Sequence, residues 1–177
     1  MPVLVAYATK YGATRGIAEH IARELTDAGQ PAEALPSAAV HDLSAYSAVI
    51  VGSAVFVGKW HRDARHFVRR HGEQLRQRPV WLFSSGPLGD ATHDKEGKDL
   101  VEASQPLDLA KHVEATDARG TTVFFGALDA ARLDGPGRLM MRLPAAREVM
   151  VEGDFRDWAA IGEWARSIAA ELSDAAA

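Results

Sequence analysis

The sequence VLVAYATKYGAT, residues 3–14, joins a short apolar run to a polar loop that contains one glycine. The run Val3–Ala8 is too short for a helix and is followed by turn-prone residues, so it predicts a strand buried on both faces of a sheet. After Thr14 the apolar period becomes that of a helix, which Gly29 ends as a C-cap would. The helical period is carried by Ile17, Ala18, Ile21, Ala22 and Leu25. This stretch therefore predicts a strand, a loop and a helix in immediate succession.

The same alternation continues along the rest of the chain. Short apolar runs predict strands at residues 31–35, 48–52, 79–84 and 121–126, and helical spacing occurs at residues 62–76 and 158–172. Strands that alternate with helices imply right-handed crossovers, and hence a parallel sheet with helices on both faces. We expect an α/β fold in one domain, residues 1–177. It would be a doubly wound five-stranded parallel sheet in the order 2-1-3-4-5, the centre of a three-layer sandwich.

The composition excludes several classes of chemistry. The 177 residues include no cysteine, which removes disulfides, thiolate nucleophiles and thiolate metal sites, so redox chemistry would need a bound cofactor. The net charge is −4 with both signs mixed, whereas nucleic-acid binding usually needs a basic stripe. The first residues carry no basic leader, and no apolar run approaches the roughly 20 residues that span a bilayer. We therefore expect a cytoplasmic protein without a nucleic-acid partner and with at most peripheral membrane contact.

Ligands of open parallel sheets bind at the carboxyl ends of the strands, which singles out the loops after the first, third and fourth predicted strands. The first loop places Thr9 and Thr14 around Gly12, directly before a helix. A phosphate there would meet free backbone N–H groups, the positive end of the helix dipole and both hydroxyls. The alternative is an ordinary N-cap and turn. The predicted phosphate-binding residues are Thr9, Lys10, Tyr11, Gly12, Ala13 and Thr14.

The other two loops supply candidates for contact with a flat cofactor. Trp60 is the predicted stacking residue, and Gly58 can change its backbone conformation at little cost. Small residues in the third loop allow backbone amides to approach a ring edge. The alternatives are a rim tryptophan packed on the next helix and an ordinary strand-end turn. The predicted cofactor-binding residues are Ser53, Ala54, Val55, Phe56, Val57, Gly58, Lys59 and Trp60 in the second loop, and Ser85, Gly86, Pro87, Leu88 and Gly89 in the third.

The spacing Thr9-x-x-Gly12-x-Thr14 after a first strand resembles the FMN phosphate loop of flavodoxins. The surrounding segments resemble the menaquinone-dependent protoporphyrinogen oxidase family over nearly the whole chain. They are Tyr7–Arg15, Gly52–Ala54, His61, Phe125–Leu128 and Asp157-Trp158. The resemblance implies a flavodoxin-like fold, FMN as cofactor, and oxidation of a reduced, protoporphyrinogen-like substrate with a quinone as acceptor. The expected partners are small redox molecules, a quinone or a porphyrin, and a second copy of the chain in a homodimer. No catalytic side chain and no metal site are predicted.

Two other functions remain open at the level of the sequence. A flavodoxin-like electron carrier usually surrounds its flavin with acidic side chains. Here the predicted rim combines both signs: Lys10, Arg15, Lys59 and Arg62 stand beside Asp63 and Asp90. A flavodoxin-fold module that has lost its cofactor would not need the complete set of Thr9, Gly12 and Thr14.

The stretch Asp129–Arg147, after the fifth predicted strand, mixes arginines with apolar residues. By the resemblance it corresponds to an insertion of the family, although it is shorter and less basic than that family's. Its composition suits a flat anionic substrate or an anionic membrane surface. The alternative is a surface excursion that packs its apolar residues on the body and leaves its arginines in water.

Overall fold

The structure is a computed structural model, and it describes residues 1–86, 88, 104–143 and 150–175. Its strands are β1 (Val3–Ala8), β2 (Ala32–Pro36), β3 (Ala48–Phe56), β4 (Lys59–Trp60), β5 (Val80–Ser85), β6 (Gly120–Phe124), β7 (Ala127–Leu128) and β8 (Gly153–Asp154). Its α-helices are α1 (Ala13–Asp27), α2 (Arg62–Arg76), α3 (Leu109–Thr116), α4 (Gly135–Met140) and α5 (Trp158–Asp174). Short 3₁₀ turns cover Ser37–Ala39 and Ala130–Arg132.

The main sheet has its parallel strands in the order β2-β1-β3-β5-β6. Counted along the chain, these strands run 2-1-3-4-5, which confirms the predicted order. β1 is buried at every residue because strands pair with both of its edges and apolar layers cover both of its faces: Val3 is level with Ala32 on one side and with Ala48 on the other. The last residues of β3 pair antiparallel with β4, so this strand ends in a hairpin.

The two faces of the sheet are covered by separate apolar layers. One layer packs α1 and α5 against Val3 and Val5, and the other packs α2 and α3 against Leu4 and Ala6. This division follows from the period of 2 in a strand, since successive side chains point to opposite faces. Each fully buried aliphatic side chain contributes about 1.5–3 kcal/mol. The predicted three-layer α/β sandwich is confirmed.

Parallel pairing brings the carboxyl ends of β1, β3, β5 and β6 to one edge of the sheet. Residues 127–154, which follow β6, are called the insertion below. Its two ends, β7 and β8, pair with each other in antiparallel orientation. The chain returns to the body at α5, where the Asp157 side chain accepts the N–H of Ala160 as an N-cap. No helix in the described ranges is long and apolar enough to cross a bilayer.

Candidate functional site

A cavity of about 370 Å³, called the main cavity below, lies at this edge of the sheet. Its wall comes from the loop after β1, the β3–β4 hairpin, the end of β5 and the residues around β7. The lining residues are Thr9, Lys10, Tyr11, Ala13, Thr14, Ala54, Val55, Phe56, Val57, His61, Ser85, Gly86, Leu88, Gly126, Ala127, Leu128 and Met150. A concave site of this size, with a largely apolar wall and a few polar groups, is typical of small-molecule binding.

The loop after β1 is shaped around Gly12. This glycine has φ of 95° and precedes α1 without a side-chain cap, so the first N–H groups of the helix have no side-chain partner among the described residues. Its own N–H donates a 3.0 Å hydrogen bond to Thr9 Oγ1, which closes the loop. Thr14 is fully buried, and its Oγ1 has no hydrogen-bond partner within the described residues. Buried hydroxyls are normally paired, so the unpaired Thr14 Oγ1 on the cavity wall singles out the start of α1.

The β3–β4 hairpin places Phe56 and Val57 on another part of the cavity wall, 41% and 82% exposed. The turn residues Val57 and Gly58 have φ of 50° and 69°. A left-handed backbone suits Gly58 but is strained at the β-branched Val57. The Gly58 carbonyl accepts a 2.8 Å hydrogen bond from the Leu107 N–H, which ties the hairpin to the segment before α3.

Lys10 joins the loop after β1 to the insertion. Its Nζ lies 3.2 Å from Asp134 Oδ2, and the Tyr11 hydroxyl donates to Asp134 Oδ1 at 3.1 Å. Asp134 also accepts the Gly137 N–H at 2.8 Å; that bond, with Lys10 and Tyr11, lowers the pKa of Asp134. The interaction with Tyr11, and then that with Asp134, raises the pKa of Lys10. The ammonium also lies 5.1 Å from the centre of the Phe56 ring, so one cation contacts loop, hairpin and insertion.

A second cavity of about 360 Å³ lies between the insertion and the start of α1. Arg156 occupies one side of it and donates to Asp154 and, at 3.3 Å, to the Ala13 carbonyl. Its guanidinium stacks 4.4 Å from the centre of the Trp158 ring. The two cavities share Tyr11, Ala13, Ala127 and Leu128. The other lining residues are Gly12, Asp129, Arg132, Glu152, Gly153, Asp154 and Arg156.

A family model described as "Flavodoxin domain" matches residues 4–149. The chain belongs to the flavodoxin-domain family. Its relatives include the protoporphyrinogen IX dehydrogenase (quinone) of Escherichia coli strain K12, 30% identical over 179 residues that cover 96% of this chain and 95% of that protein. The resemblance inferred from the sequence is thereby confirmed.

Solved structures of flavodoxin domains share the fold. A flavodoxin of Streptococcus pneumoniae TIGR4 aligns with a TM-score of 0.60 at 16% identity, covering 98% of this chain and 99% of that one. Rubredoxin oxygen:oxidoreductase of Desulfovibrio gigas aligns with a TM-score of 0.62 at 15% identity, covering 98% of this chain but 36% of that longer one. At these identities the likeness shows the fold alone.

Most of the residues predicted to bind the cofactor of this flavodoxin domain lie together. Thr9, Lys10, Tyr11, Ala13 and Thr14 line the main cavity, and Gly12 lines the second one. The other predicted residues on the main cavity wall are Ala54, Val55, Phe56, Val57, Ser85, Gly86 and Leu88. Pro87 and Gly89 lie outside the described residues. Ser53, Gly58, Lys59 and Trp60 are not among the lining residues of either cavity.

The position of Trp60 corrects the sequence interpretation. Its side chain is 1% exposed, donates from Nε1 to Ser84 Oγ at 2.9 Å, and stacks on His112 at 4.6 Å between ring centres. Because β4 pairs Trp60 with Val55, the ring turns into the layer under α2 and α3. Because the side chain is buried, Trp60 has no open face for a cofactor. Phe56 is the aromatic residue that this hairpin presents to the cavity.

Sequence reasoning missed five lining residues. The signal was available for three of them, Gly126, Ala127 and Leu128, because β6 ends at the same edge as β1, β3 and β5 and the chain continues there into β7. The sequence favours His61 as an exposed loop or helix-start residue over a catalytic role; its Nδ1 accepts the Asp63 N–H at 3.3 Å and so caps α2, while the residue also lines the cavity. The missed residues are His61, Gly126, Ala127, Leu128 and Met150.

The described part of the insertion contains elements of both of its sequence interpretations. Leu133 is 3% exposed and packs inward, as expected for an excursion anchored on the body. Leu139 and Leu143 remain exposed, and so do Arg138 and Arg142. Residues 144–149, which include Arg147, lie outside the described residues.

Proposed function

We propose that this flavodoxin domain is an FMN-dependent oxidoreductase that passes electrons from a reduced, protoporphyrinogen-like substrate to a quinone-type acceptor. The observation that carries the proposal is the fully buried Thr14 hydroxyl, which is unpartnered within the described residues at the start of α1 on the cavity wall. The printed name of the Escherichia coli relative supports the choice of porphyrinogen and quinone. A bound FMN would supply the two-electron chemistry.

The loop after β1 fits the phosphate of such a cofactor. The positive end of the α1 dipole and the uncapped N–H groups of its first turn favour an anion. The Thr14 hydroxyl gains the partner that it lacks, which removes the cost of leaving it buried and unpaired. The Gly12 N–H already donates to Thr9 Oγ1, so the loop loses little conformational entropy when it binds the phosphate.

The rest of the cavity fits a flat, largely apolar ring system. Val55 and Phe56 from the hairpin and Leu88 and Leu128 from the other walls would exclude water from it. Gly86 and Gly126 also line the cavity, and the Gly86 N–H is engaged with the Phe124 carbonyl at 3.1 Å. The exposed Phe56 and Val57 leave one edge accessible, and we assign that edge to the organic substrate and the acceptor.

The test uses the protein loaded with FMN under anaerobic conditions. We expect a flavin absorption spectrum after removal of free FMN, and oxidation of protoporphyrinogen by menadione over many turnovers, followed by porphyrin fluorescence. Protein carrying Thr14→Val and left without FMN serves as the control for non-enzymatic oxidation by the quinone.

Three outcomes contradict the proposal in different ways. Reduction limited to one equivalent per flavin with no turnover would identify an electron carrier. Turnover with NAD(P)H but not with the porphyrinogen would retain an oxidoreductase and reject the substrate class. Protein that fails to retain FMN would identify a module without the cofactor.

A further inference from the structure

We propose that Arg132, delivered by the insertion, binds the phosphate of FMN and neutralises part of its charge. This inference rests on the proposed FMN site and adds to it a residue from outside the loop after β1. It assigns the insertion a role in cofactor binding that is separate from any contact with substrate.

The geometry brings the Arg132 guanidinium onto the loop. A Cβ added to Gly12 would lie 2.9 Å from Arg132 Nη1, so the guanidinium rests directly against the residue that precedes α1. Arg132 ends the 3₁₀ turn that starts at Ala130, where the Asp129 side chain accepts the Ala131 N–H at 2.9 Å. The capped turn therefore fixes the backbone of Arg132 next to the loop after β1.

Arg132 has only a weak competing partner. Its Nε lies 3.4 Å from Asp129 Oδ2, and the two side chains are 65% and 53% exposed. An ion pair this exposed contributes little stability, so the guanidinium can turn to a stronger acceptor. Within the described residues, Nη1 and Nη2 make no hydrogen bond, which leaves both terminal nitrogens for phosphate oxygens. A guanidinium fork matches a phosphate in two parallel hydrogen bonds.

The other cations near the loop are held in shorter ion pairs by their own carboxylates. A phosphomonoester carries about −1.5 to −2 charges at neutral pH, while a helix terminus offers only about +0.5. A full positive charge beside the phosphate would strengthen this attraction, and among the described residues Arg132 has the longest ion pair of the four candidates. The competing pairs are Lys10–Asp134 at 3.2 Å, Arg15–Glu19 at 2.7 Å and Arg156–Asp154 at 2.7 Å.

The experiment compares FMN with riboflavin, which lacks the phosphate. Kd values are measured on apo-protein at low salt by quenching of flavin fluorescence. Arg132→Ala should raise the Kd for FMN about tenfold and leave the Kd for riboflavin unchanged. Arg132→Lys should recover part of the loss, since it restores the charge without the fork. In about 1 M salt the effect should shrink, because the Debye length falls to about 3 Å.

Two further variants test the electrostatic origin. Arg142→Ala removes the same charge from an exposed position in the insertion, outside the described lining of either cavity, and should change neither Kd by more than about twofold. Asp129→Asn removes the competing carboxylate but keeps an acceptor for the Ala131 N–H. It should tighten FMN binding several-fold and leave riboflavin unaffected.

The outcomes separate this inference from the proposed function. FMN binding that is unchanged by Arg132→Ala, or a loss that is equal for FMN and riboflavin, overturns the role of Arg132 while the FMN site stands. Wild-type protein that binds neither flavin, or binds both with equal affinity, overturns the phosphate site itself and this inference with it. Circular dichroism of each variant confirms that the comparison is made on folded protein.

Discussion

Replacing Thr14 by valine should stabilise the apo-protein and weaken its binding of FMN. The substitution keeps the shape of the side chain and exchanges a hydroxyl for a methyl group. Thr14 is 0% exposed, and its Oγ1 has no hydrogen-bond partner within the described residues. A buried unpaired hydroxyl costs about 1–3 kcal/mol, so the apo-protein should gain about that much stability. In a domain of this size each kcal/mol shifts Tm by about 2–4 °C, which calorimetry resolves easily.

The same substitution should weaken FMN binding. A hydrogen bond to a charged group contributes about 1.5–3 kcal/mol, and every 1.4 kcal/mol is a factor of ten in Kd, so we expect the Kd for FMN to rise about 10- to 100-fold. Fluorescence titration of the apo-protein gives this value directly. Riboflavin, which has no phosphate, should lose far less affinity.

Thr116→Val is the matched control. Thr116 is also 0% exposed, but its Oγ1 donates to the His112 carbonyl at 2.8 Å. Its replacement should leave FMN binding unchanged and should not raise Tm. The reasoning about Thr14 is refuted if Thr14→Val lowers the Tm of the apo-protein, because the hydroxyl would then have a partner, or if the Kd for FMN stays at the wild-type value.

Three other substitutions probe separate parts of the site. Val57→Gly should raise the free energy of unfolding by about 1 kcal/mol in urea titrations, since it relieves a left-handed backbone at a β-branched residue, whereas Val55→Gly in the regular strand should lower it. Trp60→Phe should destabilise the protein by about 2–3 kcal/mol, because it loses the hydrogen bond to Ser84 and packing on His112, and it should leave the FMN affinity of the folded protein unchanged. Phe56→Ala should lower the FMN affinity and leave the stability of the protein nearly unchanged. The lowered pKa of Asp134 stabilises the fold above its ordinary value of 3.8, and that stabilisation is lost as the pH falls through the lower folded value. The difference in Tm between wild type and Asp134→Asn should therefore be constant from pH 7 to about pH 5 and should shrink as the pH falls below 3.8; a difference that does not shrink there would reject the ion pair as its source.

The parts of the fold that the sequence predicts are those with an unbroken local period. Val3–Ala8 is apolar at nearly every position and α1 has a continuous apolar stripe, so both were predicted with their neighbours in order. The helix α3 was missed because it is eight residues long and follows a long polar connection, and its inward residues include a histidine and a threonine. Gly52 also needs the tertiary structure for its explanation: a Cβ there would overlap the Phe83 ring on the neighbouring strand.

The site divides in the same way between local and long-range information. The loop Thr9–Thr14 is predictable because its spacing, its glycine and the following helix are all contiguous in the chain. That Phe56 lines the cavity while Trp60 is buried is not predictable from the sequence, because it depends on where β3 ends. The predicted strand stopped at residue 52, whereas β3 continues to Phe56 and folds back as a hairpin. That continuation buries Trp60 beside Val55 and leaves Phe56 at the cavity.

The contacts of Asp134 imply that the insertion and the phosphate loop are energetically coupled. Lys10 and Tyr11 both bond to Asp134, while the same carboxylate caps α4 through the Gly137 N–H. A ligand that changes the field at Lys10 therefore changes the stability of the first turn of α4, and by linkage the state of that turn changes the affinity for the ligand. An insertion that only covered the substrate would need no bond to the phosphate loop. Its attachment there ties the first turn of α4 to the loop after β1 through a single carboxylate.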